Sequence, residues 1–302
     1  MWHTRQKEVC SMKKRKIRYL SIGISIVCLV GIFFRFQEKW ETKKILQDAK
    51  GDLKVHFMDT GQSEAILIQS GGKNMLIDGG TNATGGKVVE YLRKEGITHL
   101  NYVVGTHGHE DHIGGIDAVL YNFEVDELFL PKQTYHTHTY QDIRDTAKVK
   151  NIPITVPKWK EVRILGEAKM MFLSPNPNAI YEDMNDSSLI LRISNGKHSF
   201  LFCGDISKKM EKRLLKTKVH LKSDVLKLNH HGSNDTNSMK FLKAVSPKYA
   251  VVCCAKDNPF GHPHESVLKR VKKRKIKLFR TDEQGTIIFT SDGQKLKSDV
   301  ER

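Results

Sequence analysis

The sequence predicts an α/β protein in which two packed β-sheets are covered by helices. Short apolar runs at 53–59, 65–70 and 74–78, bounded by glycine and polar turns, are typical of strands. A segment with helical spacing follows at 86–96 and ends in glycine. Strands that first come in a run, and then alternate with helices, favour two packed sheets over a single wound parallel sheet.

The remaining elements follow in order along the chain. Further strands are predicted at 100–106, 126–131, 169–174, 187–194, 198–205, 224–231, 248–254, KLFRT (277–281) and GTIIFTS (285–291). Helices are predicted at 207–216, 237–245 and 264–275. Several possible metal ligands stand at predicted strand ends, where a rigid scaffold can bring side chains together: Asp78, His107, Asp205 and His230.

The first fifty residues predict a membrane anchor. A basic tail containing KKRKIR (13–18) precedes the uncharged run YLSIGISIVCLVGIFF (19–34) and Arg35. A spanning helix needs about 20 residues, so this run is long enough if its basic flanks reach the membrane surface. Lysine and arginine are denser before the run than after it, which favours an N-terminus inside the cell.

We therefore expect a basic cytoplasmic tail at 1–18, a transmembrane signal-anchor at 19–35, a polar stalk at 36–50 and a hydrolase domain at 51–302. The protein would be single-pass in the cell membrane, with the domain outside the cytoplasm. Cleavage and secretion are the alternative, although no A-x-A-like cleavage site follows the apolar run. The five cysteines form no CxxC pair, so neither a disulfide framework nor a zinc ribbon is indicated.

The segment THGHEDHIGG (106–115) predicts a metal site. It places four possible ligands within six residues, and a turn can direct the first pair at one ion and the second pair at a neighbouring ion: His107, His109, Asp111 and His112. Asp205 ends a predicted strand and could bridge both ions, while either His230 or His231 could complete the second. Asp78 could hold a ligand histidine through its other ring N–H. By contrast, His136 and His138 are predicted to lie in a surface loop.

The pattern HxHxDH with a later GD and a strand-end histidine resembles the metallo-β-lactamase superfamily, and within it the hydrolase domains of the ComEC-like competence group. The likeness runs through VHFMDTGQSEAILI (55–68), LIDGG (76–80), THGHEDHIGG (106–115), NDSSLIL (185–191), FLFCGD (200–205), LKLNHHGS (226–233), FGHPH (260–264) and RTDEQGTI (280–287). The resemblance implies an αββα sandwich. As ligands it implies His107, His109, Asp111, His112 and Asp205, with one of His230 and His231.

The sequence also departs from the superfamily pattern. Many members have a third histidine for the first ion, whereas residues 185–188 are Asn-Asp-Ser-Ser here, so Asn185 or water could take that place. The family pattern has an acidic residue in the turn after the first strand, and in this sequence the acidic residue of that turn is Glu64. The ComEC proteins also have a multi-helix DNA channel, which a chain with at most one predicted membrane segment does not form.

Such a site indicates hydrolysis of a phosphoester. Two divalent ions about 3.5–4 Å apart can bridge a hydroxide and clamp the attacking and leaving oxygens. Histidine ligands suit Zn²⁺ and carboxylates also suit Mn²⁺, so both metals stay open; no organic cofactor is expected. Asp205 would orient the ions and Asp111 could steer the nucleophile. His262 or His264 could bind a phosphate oxygen or protonate a leaving group.

Two of these assignments have structural alternatives. His264 could simply begin the following helix. Ser233 could donate to the substrate phosphate or merely cap its own turn.

The substrate is predicted from charge. Residues 268–280 hold eight lysines or arginines and residues 207–222 hold seven, and such faces attract polyanions, although a solvated helix face is the alternative. Phe279 is the only aromatic residue among the basic residues of these two segments that could stack on a base. We expect a phosphodiesterase or nuclease acting on nucleic acid, most simply DNA. The alternatives are a cell-wall phosphoesterase similar to phosphorylcholine esterase, and a non-catalytic anchored polyanion binder.

Overall fold

Two β-sheets stacked face to face form the centre of the structure. The computed structural model describes residues 52–173 and 181–302. In this part of the chain the first sheet contains β1 (Leu53–Phe57), β2 (Ile66–Ser70), β3 (Lys73–Ile77), β4 (His99–Val104), β5 (Glu124–Phe129), β6 (Ile154–Thr155), β14 (Ile287–Ser291) and β15 (Leu296–Val300). The second contains β7 (Val162–Leu165), β8 (Ala168–Phe172), β9 (Leu191–Asn195), β10 (His198–Phe202), β11 (Val225–Lys227), β12 (Tyr249–Val252) and β13 (Lys277–Arg280).

The order of the strands brings several carboxyl ends to one edge. The first sheet runs β15-β14-β1-β2-β3-β4-β5-β6 and the second runs β13-β12-β11-β10-β9-β8-β7. Strands β3 to β6 are parallel, as are β10 to β13. Loops that leave the carboxyl ends of neighbouring parallel strands meet in space, which is where α/β proteins place their sites.

Helices cover the outer face of each sheet. They are α1 (Gly85–Lys94), α2 (Glu110–Ile113), α3 (Ile116–Asn122), α4 (His138–Val149), α5 (Lys208–Lys216), α6 (Met239–Val245), α7 (Glu265–Lys273) and α8 (Thr281–Gln284). Two 3₁₀ helices, at Asn185–Ser187 and Asn229–Gly232, lie beside the site described below.

Three apolar layers hold these elements together. Strand β10 shows the principle: Phe200 and Phe202 point into the layer between the sheets, whereas Leu201 points into the layer beneath α5, α6 and α7. A third layer lies between the first sheet and α1, α3 and α4. Strands that are buried on both faces give continuous apolar runs. The expectation of an α/β fold of two packed sheets covered by helices is confirmed.

Some predicted elements differ from the structure. Helix α4 was not predicted, because the segment that begins it, directly after the loop that holds His136, is too polar to suggest a helix. The strand predicted over 224–231 ends at Lys227, because the backbone turns into the left-handed region at His230 (φ 49°) and His231 (φ 48°). Phe279, the aromatic ring within the basic segment 268–280, is 3% exposed and packs between the sheets. It therefore cannot stack against a substrate.

The predicted tail, signal-anchor and stalk, residues 1–50, lie outside the described residues. Within 52–173 and 181–302, no helix has both the length and the apolar character that crossing a membrane requires.

Candidate metal centre

The loop after β4 carries most of the predicted ligands, and it lies where the two sheets meet. Leu189 N, in the segment leading to β9 of the second sheet, donates a hydrogen bond to Thr106 O at 2.8 Å. On the other side, Gly79 N of the loop after β3 donates to His112 O at 2.7 Å. A Cβ added at Gly115 would lie 2.2 Å from Gly79 O, so only glycine allows this close approach.

Four side chains converge on one point of this junction: Asp111, His112, Asp205 and His231, each with one ligand atom within 4.8 Å of the others. His112 Nε2 lies 3.2 Å from His231 Nε2 and 3.2 Å from Asp205 Oδ1. Asp111 Oδ2 lies 3.2 Å from His231 Nε2. Neighbouring ligands of a tetrahedral ion with bonds of about 2.0 Å are about 3.3 Å apart, so the spacing of these atoms fits a metal.

The hydrogen bond that each ring forms through Nδ1 determines whether its Nε2 has a free lone pair. His112 Nδ1 lies 2.8 Å from Asp78 Oδ2, and His231 Nδ1 lies 2.8 Å from the carbonyl of Cys253. A carbonyl only accepts, so His231 Nδ1 carries a proton, and the carboxylate favours the same tautomer of His112. While both rings are neutral, their Nε2 atoms present lone pairs to each other. The buried Asp205 Oδ1 beside them then has no hydrogen-bond donor. Acceptors gathered without donors fit a bound cation.

The charges of this cluster are strongly coupled. Burial disfavours the charged forms of both His112 and Asp205, but their mutual attraction outweighs it. The pKa of His112 is therefore raised well above its usual value, with Asp205, Asp78 and Asp111 contributing. The pKa of Asp205 is held well below its usual value by His112 and His231. A proton on His112 occupies the place that a metal cation would take.

A second group of ligands adjoins the first. His107 Nε2 lies 3.1 Å from His109 Nδ1, which lies 2.9 Å from Asn185 Oδ1. The rings of His107 and His112 are 4.3 Å apart between centroids, so the two groups are neighbours. Two imidazoles and an amide oxygen are fewer and weaker ligands than the four of the first cluster. Asn185, which the sequence offers in place of a third histidine, lies beside His109.

The structure distinguishes His230 from His231. His231 is buried and points into the four-residue cluster, whereas His230 is partly exposed with its Nε2 3.6 Å from Asp205 Oδ2. Both residues have a left-handed backbone, which costs free energy for a residue other than glycine. The sequence left this choice open, because the alternation of strand faces does not apply to a turn of this kind.

Glu211 of α5 holds that turn, and the sequence analysis missed it. Its Oε1 accepts from Asn229 Nδ2 at 3.0 Å and from the backbone N of Asn237, and its Oε2 accepts from Ser238 N at 2.9 Å. Burial raises the pKa of Glu211 although these donors oppose the shift. One signal was available: Glu211 is the only acidic residue in the basic segment KKMEKRLLK.

A buried ion pair joins the two sheets behind the cluster. Glu64 (0% exposed side chain) contacts the ammonium group of Lys227 (1% exposed). Burial alone would lower the pKa of Lys227, but the neighbouring Glu64 raises it above its usual value, so Lys227 is charged. Glu64 N also donates to the carbonyl of the ligand Asp111 at 3.0 Å. Lys227 stands two residues before Asn229, where the turn carrying His231 begins.

The FGHPH loop brings His262 beside the centre. Its ring lies 5.5 Å from that of His230 and 6.3 Å from that of His231. Gln62 Oε1 accepts from Ala255 N, so the amide nitrogen of Gln62 faces His262 Nδ1 at 3.3 Å and donates to it. His262 Nε2 therefore carries the proton. Burial and the nearby histidines lower the pKa of His262 to about 4, so the ring is neutral at pH 7.

The side chains of His264 and Ser233 both form hydrogen bonds with the loop that follows His231. His264 Nδ1 accepts from Asn234 N at 3.1 Å, and the residue immediately precedes α7. The Ser233 hydroxyl donates to Asp235 Oδ1 at 2.6 Å. In both cases the contacts correspond to the structural alternative rather than to a group aimed at a substrate.

The segment with His136 and His138 contributes in another way. His136 lies in a loop as predicted, whereas His138 is the first residue of α4, so its placement in the loop was wrong. Both histidines are exposed, but Tyr135 between β5 and α4 is buried. The Tyr135 ring packs on Gly108, where an added Cβ would lie 2.5 Å from it, and its hydroxyl lies 2.5 Å from Ser187 Oγ. Tyr135 thus covers the backbone between His107 and His109, a contact that the sequence pattern did not reveal.

Comparison with known proteins identifies the class. The family model described as "Metallo-beta-lactamase superfamily" matches residues 58–256. The chain therefore belongs to the metallo-β-lactamase superfamily.

Curated relatives give the narrower group. The chain is 27% identical over 298 residues to ComE operon protein 3 of Bacillus subtilis, covering 92% of the chain and 37% of that protein. It is 34% identical over 239 residues to Competence protein ComA of Neisseria gonorrhoeae, covering 78% and 32%. The chain thus spans about a third of the length of these relatives. They confirm the predicted ComEC-like group and, at that level, a metal-dependent hydrolase.

A solved structure agrees with the fold. The chain superposes on Igni18, described as a novel metallo hydrolase from the archaeon Ignicoccus hospitalis, with a TM-score of 0.52. The identity is 16%, and the match covers 79% of this chain and 98% of Igni18. At this identity the likeness concerns the fold alone.

We predict that Asp78→Asn weakens metal binding about 10- to 100-fold, because the carboxylate no longer fixes the tautomer of His112. Zinc affinity, measured by competition with a chromophoric chelator, checks this. Asp126→Asn is the matched control, since Asp126 forms a similar pair with His99 (2.7 Å) at the surface. Equal affinities for the three proteins would contradict a positioning role for Asp78.

We also predict that Glu64→Gln or Lys227→Met alone costs about 3–5 kcal/mol of stability, since each leaves one buried charge uncompensated. The double variant should recover most of that loss. Urea unfolding of the metal-free protein measures all three. Additive losses in the double variant would show that the two charges do not compensate each other.

Proposed function

We propose that the protein is a phosphodiesterase that cleaves nucleic acid with two divalent ions at this centre. The observation that carries the proposal is the pair of adjoining ligand groups: Asp111, His112, Asp205 and His231 in one, and His107, His109 and Asn185 in the other. When bound, two divalent ions supply water with a pKa near 7 and positive charge toward the phosphate oxygens. The nitrogen-rich ligands favour Zn²⁺, while the carboxylates also admit Mn²⁺.

The chain's own residues would bind and orient the reactants. Asp205 and Asp111 are ionised at neutral pH, because the neighbouring histidines hold both pKa values below their usual range. His262 carries its proton on Nε2 and its ring lies beside those of His230 and His231, so it can donate a hydrogen bond to a phosphate oxygen at the centre. Because this ring is neutral, His262 serves as a hydrogen-bond donor rather than as a cationic acid. Asp78 and the Cys253 carbonyl keep the ligand rings in place.

Nucleic acid is the substrate class that charge and relatives support. Lys208 Nζ and Arg270 Nη2 donate to the carbonyls of Asn234 and Thr236, in the loop that follows His231. Their helices, α5 and α7, carry most of the basic residues of the two segments noted above. One of the relatives above is named Competence protein ComA, and a further one is called Recombination protein 2, from Haemophilus influenzae (28% identical over 283 residues).

We further propose that residues 19–35 anchor the protein in the cell membrane with its domain outside the cytoplasm. The support is the uncharged run and the density of lysine and arginine before it.

The proposed activity predicts metal-dependent cleavage of DNA by the purified full-length chain. The protein is stripped of metal, reloaded with Zn²⁺ or Mn²⁺, and assayed on single-stranded DNA, double-stranded DNA, bis-p-nitrophenyl phosphate and p-nitrophenyl phosphorylcholine. Asp205→Ala should lower the rate at least about 100-fold, because this carboxylate belongs to the buried ligand cluster. Asp292→Ala, at an exposed turn, is the control and should leave the rate unchanged.

Other outcomes assign other functions. Turnover of the choline ester alone would identify a cell-wall phosphoesterase. DNA binding that Asp205→Ala leaves intact, with no hydrolysis at any metal loading, would identify a polyanion binder.

The proposed topology predicts that protease added to intact spheroplasts degrades the domain. A tag placed before residue 13 should be protected until the membrane is permeabilised. Recovery of the domain in the medium, without the tag, would show cleavage instead of anchoring.

A further inference from the structure

We propose that Phe260 is a stacking platform for a nucleobase of the substrate, next to the phosphodiester held at the metal centre. This assignment rests on the proposed function and narrows it: the enzyme would recognise the unpaired base as well as the backbone. A stacked base needs an accessible flat ring at a fixed position near the reacting phosphate. Phe260 meets each of these conditions.

The first condition is accessibility. Phe260 is 61% exposed, although it is a large apolar residue. Single exposed apolar side chains are common, so exposure by itself indicates little. Tyr121 and Trp159, for comparison, are exposed rings that each lie beneath a lysine ammonium, Lys150 and Lys160 respectively. Among the described residues, Phe260 differs in that its ring pairs with a histidine of the metal centre.

The second condition is position. The ring of Phe260 lies 5.6 Å from that of His262, with 24° between their planes. His262 in turn lies 6.3 Å from the ligand His231, with 22° between those planes. Three rings, each tilted by 22° or 24° to the next, thus lead outward from the buried His231 to the surface. A phosphate that accepts from His262 would have its neighbouring base beside the free face of Phe260.

The third condition is rigidity. Asn258 organises the loop: its Oδ1 accepts from Phe260 N at 3.2 Å and from His262 N at 3.0 Å. Its Nδ2 donates to Ala255 O at 2.9 Å and to His262 O at 2.6 Å. The loop is also tied to Gln62 through Ala255 N. The ring is therefore held out by a hydrogen-bonded turn, which limits the ordering that binding a base would require.

The chemistry of the platform favours a base over a quaternary ammonium group. Cation recognition typically uses several aromatic rings, with tryptophan the strongest partner. In the described part of the chain, Phe260 pairs only with His262, so one flat face is available instead of a cage. Every nucleobase has a π-face, so such a platform accepts any base and confers little sequence preference.

The test compares bases present and absent on the same backbone. The full-length protein cleaves an end-labelled single-stranded oligothymidylate, and a series in which one position is an abasic tetrahydrofuran residue. Cleavage next to the abasic position should fall about 5- to 150-fold in kcat/KM, the usual value of one stacked base. Bonds several nucleotides away should be cut at the normal rate.

Variants identify the ring responsible. Phe260→Ala and Phe260→Leu should slow cleavage of the normal oligonucleotide by a similar factor and remove its advantage over the abasic one. Phe260→Trp should preserve that advantage. Trp159→Ala, which removes an exposed ring in another loop, is the control and should behave as wild type. Metal content and unfolding temperature are measured for every variant.

The outcomes separate this assignment from the proposed function. If wild type cuts both oligonucleotides equally, or if Phe260→Ala slows both equally, the platform is wrong while the nuclease stands. If the metal-loaded protein cuts neither, the proposed function is wrong and the platform fails with it. Loss of base discrimination in Phe260→Ala and Phe260→Leu, and its retention in Phe260→Trp, would establish the platform.

Discussion

The site depends on one electrostatic constraint, because several hydrogen-bond acceptors meet in a largely buried place with few donors among them. The Nε2 atoms of His112 and His231 face each other at 3.2 Å, and a buried carboxylate oxygen of Asp205 joins them. Acceptors removed from water without donors cost free energy, and only a positive charge among them compensates. A proton supplies that charge in part, and a divalent cation supplies more of it. The surrounding structure must hold the ligands together against their repulsion until the cation binds.

The framework achieves this from outside the ligand cluster. Asp78 and the Cys253 carbonyl bond to the far nitrogens of the two rings. Asp78 itself has a left-handed backbone (φ 56°), and its carboxylate also accepts from the backbone and the hydroxyl of Thr106. At Asp78 a strained backbone therefore coincides with several hydrogen bonds to the side chain. Conformational strain persists only where neighbouring contacts over-determine it, and such places are commonly functional.

The sequence predicted the ligands better than their supports, for a physical reason. His107, His109, Asp111 and His112 form a contiguous pattern, and the strands are continuous apolar runs because both faces are buried. Glu64 and Lys227 lie in segments belonging to different sheets, so their pairing follows from the arrangement of strands, which local periodicity does not encode. The same holds for Glu211, which acts on a turn distant in sequence. Phe260 lies in the FGHPH motif, but only its exposure and its contact with His262 distinguish it from the buried Phe279.

The pairing of β1 with β14 has a consequence for how the protein is made. Leu53 pairs with Ser291 and Phe57 with Ile287. The first strand of the described chain, β1, therefore cannot complete its pairing until β14 has been synthesised. Domains fold as they leave the ribosome, at about 5–20 residues per second. All the candidate metal ligands emerge before β14, whereas one edge of β1 stays open until β14 has been synthesised. An open edge can pair with a strand of another chain. The closing hairpin of β14 and β15 thus determines how long a nascent molecule remains exposed to aggregation.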